Sequence, residues 1–154
     1  MPKVPSLLVV GLLAAQFLIL QITHNPEPNC TLNIERPHYS TSLSEIQNID
    51  AIKLNITSTC NVSQKYTQLT ADIQKIQNNR EITAYSFENE RRSSTSKTPN
   101  VVTFKDLFAP CKKTISGSYR GTAQGYVYLK SGNKVAVKGD SGKFVATGCL
   151  IGAQ

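Results

Sequence analysis

The chain has 154 residues, of which 40% are hydrophobic and 18% charged, with a formal net charge of +7. That length suits one domain with a real core, and the composition excludes a disordered or fibrous chain. The charge is uneven: Cys30 to Phe104 holds eight basic and seven acidic residues, whereas Lys105 to Gln154 holds eight basic residues against Asp106 and Asp140.

Met1 and Lys3 lead into an apolar run, Leu7 to Ile22, broken only by Gly11, Gln16 and Gln21. A basic leader before a run that is apolar all round marks an export segment, since a buried helix would show an amphipathic stripe. Residues 1–23 are expected to be a signal peptide or, because no small-x-small site follows the run, an N-terminal anchor helix. Residues 24–29 read as a polar, proline-bearing spacer and residues 30–154 as the folded domain. Cys30, Cys60, Cys111 and Cys149 all follow the export segment, and an even count in an exported chain points to two disulfides. The intervals contain no CxxC or CxH pattern, which argues against a zinc or thioredoxin-like centre and leaves no motif for a cofactor. Three pairings are open, with the nested loops Cys30 to Cys60 and Cys111 to Cys149 preferred.

Thr31 to Glu35 reads as a short strand, followed by Pro37 and a serine- and threonine-rich loop to Ser44. Ala51 to Cys60 alternates Ile52, Leu54, Ile56 and Cys60 against Lys53, Asn55 and Thr57, the pattern of a half-buried strand. Val62 to Ile76 supports two readings. Val62, Tyr66, Leu69, Ile73 and Ile76 would stripe a helix, whereas Leu69, Ala71 and Ile73 would form the inner side of a strand. The strand is preferred, because Asn78-Asn79 can form a hairpin turn and Glu81 to Phe87 continues an alternating pattern. Glu88 to Asn100 is polar and aperiodic and reads as a surface loop. Val101 to Phe108 returns to strand composition, and Pro110 stops it.

Cys111 to Cys149 reads as a β-meander punctuated by Ser131-Gly132-Asn133 and Gly139-Asp140-Ser141-Gly142. A three-residue loop at Ser131-Gly132-Asn133 would set Leu129 against Val135 and Val127 against Val137, turning Tyr126, Tyr128, Lys130, Lys134 and Lys138 outward. A two-residue loop would exchange the faces. Within this stretch, GSYRGTAQGYVYLKSGNKVAVKG, Gly117 to Gly139, resembles the penultimate strand, hairpin and last strand of bacterial immunoglobulin-like modules. Tyr119 stands where such folds can anchor a tyrosine corner, and Gly121 where antibody domains carry their second inter-sheet cysteine. The resemblance implies an all-β chain, an immunoglobulin-like antiparallel β-sandwich of about seven strands, with an extracellular binding or spacing role and no transferable functional residue.

Candidate chemistry is sparse. Gly139-Asp140-Ser141-Gly142 copies the nucleophile loop of trypsin-like proteases, yet only His24 and His38 exist to take the serine proton, and both lie near the export segment. The carboxylates Glu35, Glu45, Asp50, Asp72, Glu81, Glu88, Glu90, Asp106 and Asp140 are scattered among polar residues. Asn29, Asn55 and Asn61 open Asn-x-Ser/Thr sequons, which carry glycans only in a eukaryotic secretory route. The most function-like feature is the basic and aromatic set Tyr126, Tyr128, Lys130, Lys134 and Lys138. One sheet face bearing those side chains would suit an anionic cell-envelope polymer, an acidic glycan, a phospholipid surface or another protein, while the export signal argues against nucleic acid. The sequence thus favours a secreted or tethered non-enzymatic interaction module. A small secreted hydrolase with a carboxylate-based site, and a secreted effector, inhibitor or antimicrobial protein, stand as alternatives.

Overall fold

The computed structural model describes residues 26–113 and 115–152. Residues 1–23, expected to be an export segment, and His24 lie outside those residues. Within them the strands, in chain order, are β1 (Cys30–Ile34), β2 (His38–Tyr39), β3 (Ala51–Cys60), β4 (Gln64–Gln77), β5 (Arg80–Ser93), β6 (Val101–Pro110), β7 (Gly117–Leu129), β8 (Lys134–Asp140) and β9 (Val145–Thr147), with one helix, α1 (Thr41–Gln47). The two strands beyond the expected seven include β2 and β9, of two and three residues.

All pairings are antiparallel and fall into two sheets. In the first, β3 pairs along one side with β6 and along the other with β1 and β2 end to end, β1 taking Ile56 to Cys60 and β2 taking Ile52 and Lys53. In the second, the order is β5, β4, β7, with β8 and β9 sharing the far side of β7. The sheets meet face to face as a β-sandwich. Ile52, Leu54 and Ile56 of β3 and Phe104 and Leu107 of β6 pack in one cluster with Leu69, Ala71 and Ile73 of β4 and Tyr119 and Ala123 of β7. Each large aliphatic buried there contributes about 1.5–3 kcal/mol through its removal from water.

Of the ambiguous Val62 to Ile76, everything from Gln64 is strand: β4 buries Leu69, Ala71 and Ile73, and Asn78 and Asn79 make the turn to β5 with φ of 51° and 58°. Two expectations need correction. The polar stretch from Glu88 is not loop until Ser94, because β5 runs on to Ser93 as an edge strand whose only steady demand is pairing to β4. Register shifts in that pairing, with Asn89 at φ 54°, place Ala84 and Phe87 inside three residues apart, which hides the strand from a period of two. The serine-rich segment before β3 is also not all loop. Ser40 caps α1 by accepting from Leu43 N, and Asn48, at φ 56°, closes it. This helix buries no residue, so no apolar stripe announces it.

The disulfides are Cys30–Cys60 and Cys111–Cys149. The first staples neighbouring strands of one sheet, and the second joins the segment after β6 to the segment after β9, and so one sheet to the other. Each loop closure constrains the unfolded chain by about 3–4 kcal/mol in the entropic account. Neither bridge crosses the middle of the sandwich. There Gly121 leaves room for Leu54 of the facing sheet, whose Cδ1 would lie 2.5 Å from any Cβ added at that glycine.

Each end has its own polar clamp. Beside Cys60, the fully buried Gln64 donates from Nε2 to the carbonyls of Ser58 (3.2 Å) and Asn100 (2.7 Å), and its Oε1 lies 2.8 Å from Thr67 Oγ1. Beside Cys149, the buried Tyr119 hydroxyl donates to the Cys149 carbonyl (2.9 Å) and accepts from Ile151 N (2.7 Å). Tyr119 therefore anchors a backbone segment, but a C-terminal one rather than one just upstream. Burial raises its phenol above the ordinary range, and the bond from Ile151 works against that shift.

Candidate functional site

Alternation along β7 decides which side chains reach solvent. Val127 and Leu129 are buried, so Tyr126 and Tyr128 emerge on the opposite face. The β7–β8 loop is Lys130 to Gly132, closed by Leu129 N donating to Asn133 O (2.8 Å), with Gly132 at φ 94°. Val127 consequently faces Val135, and Gly125 faces Val137. This register lies two residues from the expected three-residue loop, and an even shift preserves the faces. Lys134 and Lys138 share the outer side of β8 and are exposed; Lys130 sits in the loop and borders a separate depression with Pro26, Pro28 and Val62.

Register brings further residues onto the same face. Tyr66 of β4 lies opposite Tyr128, their rings stacked at 4.4 Å, and Arg91 of β5 lies over Tyr66 at 3.8 Å. Tyr126 is 44% exposed, and Lys134 Nζ stands 4.6 Å from its ring centroid. Beyond these rings a groove of about 730 Å³ crosses the sheet, lined on its polar side by Gln68, Thr70, Asn89, Gln124 and Lys138. None of its lining residues is acidic. The small Ala136 of β8, between Lys134 and Lys138, leaves the groove open there. Gly125 lets β7 approach β4 closely: a Cβ on it would stand 2.1 Å from the Gln68 carbonyl oxygen.

A second groove of about 580 Å³ continues from Thr70, Gln124 and Lys138 towards Asp72, Arg120 and Asp140. Asp72 and Asp140 both pair with Thr122, from opposite sides, and so stand two strands apart, roughly 9–10 Å between backbones. Asp72 accepts from Ser86 Oγ (2.6 Å), and Asp140 accepts from Gly142 N (2.7 Å). Arg120 is held at 2.7 Å by Glu81 and at 2.8 Å by Gln74.

Other sequence candidates take ordinary structural places. Ser141 Oγ accepts from Gly121 N (2.9 Å), and Asp140 and Gly142 close a turn beside it, while His38 lies on the other sheet with Nδ1 3.1 Å from the Arg36 carbonyl. The triad geometry of a serine protease is therefore absent among the described residues. Asn29 and Asn61 are exposed beside Cys30–Cys60. Asn55 lies mid-strand and already commits its Nδ2 to Glu35 (2.8 Å). Lys113 lies over Tyr39, and Lys105 is on β6, so the basicity of the last third is not gathered on one face. Among the described residues no cluster of His, Cys, Asp and Glu could hold a metal ion, and no helix is long and apolar enough to cross a membrane.

Tyr66, Gln68 and Arg91 were missed as site candidates. Tyr66 and Gln68 belong to the side of β4 opposite Leu69 and Ala71, a signal present once that segment is read as strand, but the neighbour of that face is fixed only by the β4–β7 pairing.

No protein-family model matches the chain, and no curated protein matches it. Among solved structures it is similar to the solution structure of a late embryogenesis abundant (LEA) protein, at a TM-score of 0.41 and 8% identity, over 86% of this chain and 78% of that one. A likeness at that level carries no functional assignment.

Proposed function

We propose that the chain is a secreted or membrane-tethered, non-enzymatic interaction module, an immunoglobulin-like β-sandwich that presents the outer face of β4, β7 and β8 to an anionic partner. The observation that carries this reading is the shared face of Tyr66, Tyr126, Tyr128, Lys134 and Lys138, beside a groove with no acidic residue in its lining. Cationic side chains over such a groove attract polyanions, and the rings add contact area at little entropic cost. The two disulfides and the apolar N-terminal run support an oxidising, extracytoplasmic setting. The test is direct binding of the natural mature protein to immobilised polyanions at low and raised salt. Binding that weakens with salt, and about tenfold with Lys134→Ala and Lys138→Ala combined, is the expected result. Binding indifferent to both changes would overturn the reading.

A second reading, a carboxylate hydrolase, has one observation in its favour: Asp72 and Asp140 flank Thr122 in the second groove. Inverting glycosidases hold their carboxyl groups about 6.5–9.5 Å apart. Both carboxylates here already accept local hydrogen bonds, which favours a structural part for them. Release of reducing ends from a polysaccharide, abolished by Asp140→Asn, would establish this reading instead.

A further inference from the structure

We infer that the partner of the first groove is an acidic polysaccharide bearing carboxylate sugars, laid across β5, β4, β7 and β8; the inference rests on the proposed binding role of this face. Three features separate that ligand from other polyanions.

The first is the chemistry of the floor. Gln68, Gln124 and Asn89 each present a carbonyl acceptor beside an amide donor, and Thr70 presents a hydroxyl that does both. A phosphate or sulfate chain only accepts hydrogen bonds, so it would leave the amide carbonyls facing anionic oxygens. Sugar hydroxyls donate and accept, and satisfy both halves of each amide.

The second is charge density. Of the residues lining the groove only Lys138 is charged, with Lys134 about 13–14 Å from it along β8 and Arg91 across the sheet beside Tyr66. Three cations around a floor of uncharged polar groups do not suit a chain, such as polyphosphate, whose every contact is an anionic oxygen. A polymer whose carboxylates stand among uncharged hydroxyls suits both the few cations and the amides between them. The acidic pair Asp72 and Asp140 marks the second groove as the less favourable end for any polyanion.

The third is shape. The groove crosses from Asn89 to Ala136 over three strand spacings, about 14 Å, and its volume lies in the range of ligand sites. That extent accommodates a short run of sugar rings. Tyr126 and Tyr128 line it, and the apolar C–H face of a pyranose ring packs against an aromatic side chain as other apolar surfaces do.

The experiment measures binding of the mature protein to polygalacturonate, alginate and hyaluronan, and to dextran, inorganic polyphosphate and vesicles of phosphatidylglycerol. Two groove variants keep every cation: Ala136→Phe fills the opening, and Gln124→Leu removes one amide. Both positions are exposed, and thermal unfolding checks that each variant folds; either variant alone suffices for the comparison. The expected result is binding to at least one uronate polymer that falls about tenfold in each folded variant, while any polyphosphate binding changes less than twofold. Dextran bound as tightly as the uronates would overturn the inference, as would polyphosphate or vesicles bound at least as tightly as the uronates, or groove variants without effect. The polyphosphate, vesicle and groove-variant results leave the anionic-surface reading standing, whereas equal binding of uncharged dextran would count against it as well. If none of the anionic probes binds, both fail together.

Discussion

The two sides of β7 differ in what they ask of each residue. Inward, Ala123, Val127 and Leu129 are buried, and Tyr119, Gly121 and Gly125 each meet a specific neighbour: a carbonyl, a leucine of the facing sheet, the backbone of β4. Outward, Thr122, Gln124, Tyr126 and Tyr128 meet one another's flanks, the side chains of β4 and β8, and water. Substitution should therefore act mainly on stability on the inner side and mainly on binding on the outer side. The two positions nearest the boundary, Gly125 and Tyr128, test that separation most severely.

Gly125→Val should give the largest effect. The new Cβ would enter contact with backbone atoms, 2.1 Å from Gln68 O and 2.6 Å from Leu69 Cα, and backbone in a paired strand cannot step aside cheaply. A loss of about 4 kcal/mol or more is expected in urea unfolding, in the range reserved for named structural failures. A loss below about 1 kcal/mol would show that β4 and β7 can separate locally.

Tyr119→Phe comes next. It removes the hydroxyl that serves Cys149 O and Ile151 N, leaving a buried donor and acceptor without their partner, at a cost of about 1–3 kcal/mol. The same hydroxyl sets a pH dependence. Its folded pKa is raised by burial, so the folded chain holds the proton to higher pH than the unfolded chain does. Its contribution to stability is complete below the unfolded value, about pH 10, and is lost as pH rises from there through the raised folded value. The stability gap between the natural chain and Tyr119→Phe should accordingly narrow above about pH 10. A gap that widens there would contradict the burial argument.

Much of the inner side was legible from sequence, because Ile52, Leu54 and Ile56, or Leu69, Ala71 and Ile73, carry a period that only a half-buried strand explains. The disulfide pairs followed from the same locality: the β1–β3 pair brings Cys30 and Cys60 together, and the Lys112–Leu150 bridge brings Cys111 and Cys149 together, although the expected meander is not one, since β9 returns to pair with β7 rather than with β8. Bulges were not legible: Asn89 shifts β5 by a residue, and a polar edge strand that buries little has no alternation to display. The helix at Thr41–Gln47 was hidden for a related reason, since its ends are capped but its sides pack on nothing. At the candidate site, Tyr126, Tyr128, Lys134 and Lys138 were found from one hairpin, whereas Tyr66, Arg91 and the amide floor depend on strands that pair across long sequence distances. A face can be read one strand at a time, but a groove belongs to several strands at once.

Tyr128→Ala probes the boundary from outside. Its ring is half-buried against Tyr66, and stacked cross-strand pairs contribute about 0.5–1.5 kcal/mol. Thermal unfolding should show a loss of about that size, and Arg91, freed of an ordered Tyr66, should lose its place over the ring. No measurable loss would mean that the stack belongs wholly to the binding face.

Lys134→Ala with Lys138→Ala should have the smallest effect on folding and the clearest effect on binding. Lys134 stands over Tyr126, and Lys138 borders the groove; neither forms a salt bridge among the described residues. Removing two unpaired cations from an exposed strand leaves every inner contact intact, so the unfolding midpoint should stay unchanged within error at moderate salt. At low salt it should rise slightly, because a chain of net charge +7 loses two like charges. A clear drop instead would locate part of the fold's stability in the lysines that guard the β8 edge, and the outer face would then serve the sheet before any partner.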